Sequence, residues 1–243
     1  MITAELIKLR HQRTPQVLLL VGVAIAVLGS ALTAFQGHPV PLHEYTNRVD
    51  FSAFGLSAIL MAVLGGWMMG SEYRQDTLKR LAAVGPGRTR IVLAKLAVLV
   101  GAVLAMSTVW FAIATAGMAL AASKHGVTLP TGHLGGVYLS GVLGGVATAL
   151  VAYGLSLLVR SDVFAIIGTL GLLLAVDQIV MSVWPHTGRY TLSGALDGVS
   201  QGLHLASRGD TTTLGLAASL AVVAAWGLVP ALAGSRVFAR RDV

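Results

Sequence analysis

The stretch Ile91-Val-Leu-Ala-Lys-Leu-Ala-Val-Leu-Val-Gly-Ala-Val-Leu-Ala-Met-Ser-Thr-Val-Trp-Phe-Ala-Ile-Ala-Thr-Ala-Gly-Met-Ala-Leu-Ala-Ala122 carries one charged residue, Lys95, near its start. A helix of about 20 apolar residues is enough to cross the hydrocarbon core of a bilayer, so this run spans a membrane with room to spare. Five more runs meet the same test, at 17–35, 51–70, 134–159, 163–184 and 213–235, and only the fifth, with Asp177, contains an acid. Composition agrees. The chain is 55% hydrophobic and 11% charged, with a mean hydropathy of +0.79, whereas a soluble domain carries roughly 25% charged residues. The expectation is one all-α polytopic domain, 1–243, with six transmembrane helices.

The first run follows Lys8, Arg10 and Arg13, as a signal peptide would. Its apolar stretch is longer than a signal core of about 7–15 residues, and no convincing small-x-small cleavage site follows it. It reads as a retained span. Lysine and arginine set the orientation, because they collect in cytoplasmic loops. Lys8, Arg10, Arg13, Arg74, Lys79, Arg80, Arg88, Arg90, Lys95, Arg160, Arg236, Arg240 and Arg241 fall on one side; Arg48, Lys124, Arg189 and Arg208 fall on the other. Both termini are therefore expected in the cytoplasm. The net charge of +7 sits at helix ends, where it meets anionic headgroups. No basic stripe interleaved with stacking aromatics suggests nucleic acid.

Residues 1–14 form an interfacial helix in this reading, with Ile2, Leu6 and Leu9 on one face and Glu5 with Lys8 on another. Pro15 turns the chain into the first span. The outer segment 185–212 places Leu192, Ala195, Leu196, Val199 and Leu203 at helical spacing, which suits either a re-entrant helix or an amphipathic surface helix.

The segment 71–90 carries the most information. It reads Gly70-Ser-Glu-Tyr-Arg-Gln-Asp-Thr-Leu-Lys-Arg-Leu-Ala-Ala-Val-Gly-Pro-Gly-Arg-Thr-Arg90. Ser71 and Glu72 suit a helix start, Leu78 and Leu81 give it a small apolar face, and Gly85-Pro86-Gly87 stops it. Arg88, Arg90 and Lys95 then mark the entry of the third span into the headgroups. A solvated connector and a partner-docking helix both fit this pattern.

Glu72, Arg74, Thr77, Leu78, Leu81, Pro86, Arg88 and Lys95 resemble the signature loop of permease subunits of bacterial ABC type-2 exporters. The opening Glu5-Leu-Ile-Lys-Leu-Arg-His-Gln-Arg13 and the closing Phe238-Ala-Arg-Arg-Asp-Val243 are similar to the ends of such permeases. Asp76 stands where that family commonly has glycine, and Val84-Gly-Pro-Gly87 replaces its usual proline–valine–serine turn. The resemblance implies the type V exporter transmembrane fold in the inner (plasma) membrane. It implies a second permease chain, identical or related, and two copies of a cytosolic ABC ATPase. Glu72, Tyr73, Arg74, Thr77, Leu78, Leu81 and Arg88 would then contact the ATPase through a coupling helix. ATP and magnesium would reside on that partner; this chain, which has no Gly-x-x-x-x-Gly-Lys-Ser/Thr phosphate loop, would be no enzyme and hold no cofactor. The substrate path would lie between the two permeases, lined by the second and fifth spans, as in drug or antibiotic efflux.

Asp177, beside Gln178, is the acid inside a span, and such groups usually face protein or water. It is either part of the substrate path or a residue near the outer helix end bonded to a neighbour. Histidines 38, 43, 125, 133, 186 and 204 lie outside without the i,i+4 spacing or cysteine partners of a helical metal site, so no metal is expected. An ion-coupled secondary transporter would need paired charges or broken helices at the midplane. An intramembrane enzyme would need a motif such as His-Glu-x-x-His, which the chain lacks. A non-transporting accessory or sensory subunit fits the same spans.

Overall fold

The computed structural model describes residues 2–36, 41–74, 88–203 and 213–240. Its elements, in chain order, are α1 (Ile2–His11), α2 (Arg13–Ala34), α3 (Leu42–Phe54), α4 (Ser57–Arg74), α5 (Arg88–Lys124), α6 (Leu134–Val159), α7 (Asp162–Gly171), a π turn (Leu172–Val176), α8 (Asp177–Val183), the single turn α9 (Pro185–Gly188), α10 (Leu192–Gly202) and α11 (Leu216–Arg240). Among the described residues there is no strand. Among the described residues six helical stretches are long and apolar enough to cross a membrane: α2, α3 with α4, α5, α6, α7 through α8, and α11.

Helix α6 is the hub. It packs against α4, α5, α7 and α11, and Ala149, Ala152, Tyr153 and Leu157 along it are buried. Without a hydrophobic drive between helices in lipid, close approach through small residues holds such bundles together. Gly65 of α4 lies on the Ala149 carbonyl, and Gly154 of α6 lies on the Pro230 backbone of α11; a Cβ at either would collide with main chain. Helices α2 and α5 pair at the periphery, where the buried Trp110 indole donates to the Leu19 carbonyl at 3.1 Å.

Contacts place the chain ends. Glu5 of α1 reaches Lys95 near the start of α5, and Tyr73 at the end of α4 meets the Phe238 ring of α11. The amino-terminal helix, both flanks of 75–87 and the end of α11 thus share one side, here termed the basic end.

Four expectations are corrected. Pro15 does not break the chain: Gln12 is the extended residue between α1 and α2, and Pro15 occupies the first turn of α2, where a missing N–H costs no hydrogen bond. Helix α1 turns Glu5 and Leu9 toward the protein and leaves Leu6 exposed, because the Glu5 carboxylate has cationic partners there. The second span does not begin at 51: α3 precedes it from Leu42, burying Tyr45, Val49 and Ala53 at helical spacing. Arg48 of α3 bonds Glu44, Thr33 and Gln36, which ties α3 to the end of α2. No helix starts at Ser71, because α4 runs unbroken through Glu72 to Arg74.

Candidate functional site

At the basic end, three elements distant in sequence bring four charged side chains together. Lys95 donates to Glu5 Oε2 at 2.9 Å and to Glu72 Oε1 at 3.0 Å. Lys8 donates to the same Glu72 oxygen at 2.8 Å and lies 3.6 Å from Glu5. Lys95 is 1% exposed, Glu72 6% and Glu5 9%. A buried charge is tolerated when it is paired and hydrogen-bonded, and two ammonium groups here balance two carboxylates. Partial burial of Lys8 by itself lowers its pKa; the hydrogen bond and charge of Glu72, with the charge of Glu5, outweigh this and raise it.

The last turn of α4 is fixed on its other sides as well. Arg74 pairs with Asp162 at 2.9 Å, and Asp162 opens α7 after a turn in which Arg160 is left-handed and the Ser161 hydroxyl accepts from Phe164 N–H. Gly70 lies against the Asp162 backbone so closely that no side chain fits. Tyr153 of α6 donates to the Val92 carbonyl of α5 at 3.4 Å. Both flanks of the 75–87 segment are therefore clamped to α1, α6 and α7.

Of the residues expected to meet a partner, Glu72, Tyr73 and Arg74 come together at this base. They do so by contacts within the chain. Glu72 faces inward, paired with Lys8 and Lys95. Arg88 begins α5, and Thr77, Leu78 and Leu81 lie outside the described residues. Lys95, expected at the headgroups, is buried instead, because Glu5 and Glu72 meet it inside the protein. Sequence reasoning missed the pairing of Asp162 with Arg74 and that of Glu5 and Lys8 with this junction. The available signal was Lys95 itself: a charge inside an apolar run needs a partner.

At the opposite end, Asp177 is 3% exposed. Its Oδ2 accepts from Ser193 N–H at 2.9 Å, so the acid is bonded to a neighbouring helix. Gln178 is on the exposed side of α8. Among the described residues no three His, Asp or Glu side chains are grouped as a metal cage would need.

A family model described as ABC-2 family transporter protein matches residues 1–176, from α1 through the π turn. The chain belongs to the ABC-2 transporter family. No curated protein sequence matches it significantly. As an ABC-2 permease it is a multi-pass membrane protein, consistent with the inner membrane, and a membrane transport subunit. The matched part contains every charged residue of the clamp: Glu5, Lys8, Glu72, Arg74, Lys95 and Asp162.

Proposed function

We propose that this chain is the permease subunit of an ATP-driven exporter, working as a homodimer or related heterodimer with two copies of a separate cytosolic ABC ATPase. The observation that carries this reading, beside the family match, is the clamp around the flanks of 75–87. A partner pressing on that segment would act on α4 and α5 at points tied by ion pairs to α1 and α7. The push would move helix ends rather than be absorbed by a loose loop, which is what a two-state coupling element requires. The lysine and arginine bias puts this end in the cytoplasm, where ATP and magnesium on the partner are available.

In this reading Leu78 and Leu81 contact the ATPase, with Thr77 and Arg88 beside them, while Glu72, Tyr73 and Arg74 form the rigid joint behind. The path lies between two permeases. Helix α4 is mostly buried within one chain, whereas α7, the π turn and α8 expose Phe164, Ile167, Leu174 and Ile179, so the fifth span supplies more of its wall than the second, with Gln178 on the exposed side. The test is co-purification with a candidate ATPase, followed by ATP hydrolysis in proteoliposomes. Leu78→Asp with Leu81→Asp should abolish both association and the permease-dependent change in hydrolysis, leaving insertion intact. Unchanged association in that variant would overturn the docking assignment.

A further inference from the structure

The fifth span contains an irregularity that hydropathy does not register. Its buried residues are Ala165, Thr169, Leu173 and Asp177, a repeat of four. A regular helix turns about 100° per residue, so three such steps would leave Asp177 about 120° from the direction of Ala165, facing lipid. The π turn Leu172–Val176 prevents this. Its wider closure, with Asp177 N–H bonded to the Leu172 carbonyl, absorbs about one extra residue and takes back about 100°. Asp177 ends up within about 20° of the buried stripe. The helical irregularity thus delivers a carboxylate to one place, the amino terminus of α10.

That terminus receives two acceptors. Thr191 takes the N–H of Gly194 at 3.2 Å, and Asp177, from another helix, takes the N–H of Ser193. An anionic group at a helix amino terminus is favoured by both the free N–H groups and the macrodipole. From this anchor α10 lies against the middle of α6, the π turn and the first half of α11. Leu192, Ala195 and Val199 are buried with Ala147, Leu173 and Val223, and Gly198 sits against Ser219. Among the described residues the second Asp177 oxygen, Oδ1, is buried without a partner. Leaving such an acceptor unsatisfied is costly, so the closed arrangement is held by one strong bond and opposed by one unsatisfied atom.

We propose that Asp177 is the positioning residue of an outer gate: it latches α10 against α6, the π turn and α11, and the bond to Ser193 N–H is released during the transport cycle. The release, though not the latch, rests on the exporter reading above. The chain contains no cysteine, so a single introduced thiol reports unambiguously. Ala195→Cys places it on the buried face of α10, fully covered in this structure. In the permease alone, in proteoliposomes, a membrane-impermeant maleimide should label this thiol slowly. Asp177→Ala should raise the rate about tenfold, the worth of one charge-assisted bond. Ser193→Pro, which removes the donor at a position in the first helical turn, should do the same without touching the acid. Asp177→Asn, nearly isosteric, should lie between the wild type and Asp177→Ala and guards against loss of fold. Equal labelling in all of these overturns the latch.

The release is tested in the complex with its ATPase. ATP should accelerate labelling of Ala195→Cys. A Gly144→Cys/Leu196→Cys disulfide, built where those residues touch, should slow ATP hydrolysis several-fold until reduced. No ATP effect on labelling, or full hydrolysis in the cross-linked protein, overturns the release. Failure of any ATPase to associate would sink the exporter reading instead, while the labelling of the permease alone still decides the latch.

Discussion

Lys95→Ala is the perturbation whose outcome follows most directly from the structure. The substitution deletes two charge-assisted hydrogen bonds, to Glu5 at 2.9 Å and to Glu72 at 3.0 Å. It leaves two carboxylates, each less than a tenth exposed, with Lys8 as the cation between them. Removing one partner of a buried ion pair costs about 3–5 kcal/mol. At about 1.4 kcal/mol per decade, the unfolding equilibrium should shift by roughly two to four decades. Lys8→Ala provides the contrast. Its side chain is 42% exposed, so solvent screens the pair and the loss should be about 1 kcal/mol or less. The double variant Glu72→Gln/Lys95→Met removes one charge of each sign, and its cost should fall short of the sum of the single changes by about 0.5–3 kcal/mol. Reversible unfolding in mixed micelles of rising sodium dodecyl sulfate content, followed by tryptophan fluorescence, measures these proteins together with the single variants Glu72→Gln and Lys95→Met. If Lys95→Ala were no worse than Lys8→Ala, or if the double variant were additive, the buried four-charge cluster would be refuted.

Three further outcomes are expected. Arg74→Glu, on a side chain 61% exposed, should change micellar stability little but lower the permease-dependent ATP hydrolysis of the complex; the exchanged pair Arg74→Asp/Asp162→Arg should restore part of it, and no restoration would argue against that bond. For Lys8, whose pKa is raised on folding, the stabilisation should be present in full below its ordinary value of 10.5 and fade as alkali carries the pH through the higher native value; an alkaline unfolding titration that is identical in Lys8→Met would count against the pairing. Gly154→Leu should prevent α6 and α11 from closing on each other, since a Cβ alone already strikes the Pro230 main chain; size-exclusion chromatography should show misassembled protein, whereas Gly171→Ala, with open space around it, should behave as wild type.

The spans, the count of six and the helical nature of α10 were legible in the sequence, because hydropathy and helical period are sums over neighbours close along the chain. Lys95 also announced itself, as a cation inside an apolar run. Which acids it would meet was not legible. Glu5 is 90 residues away and Glu72 is 23, and only the packing of α1 against α4 and α5 brings them within reach. The same packing put Glu72 inside the protein, since a paired carboxylate is more stable there than an unpaired Lys95 would be. Asp177 shows the limit more sharply. Its presence in a span was plain, and a regular helix would have pointed it toward lipid. The π turn is set by what α7 and α8 must bury against α4, α6 and α10, and that demand exists only once those helices are in place. Local chain chemistry determined where this protein crosses the membrane; tertiary packing decided which of its few charges face one another, because in a low-dielectric interior a charge goes where its partner is.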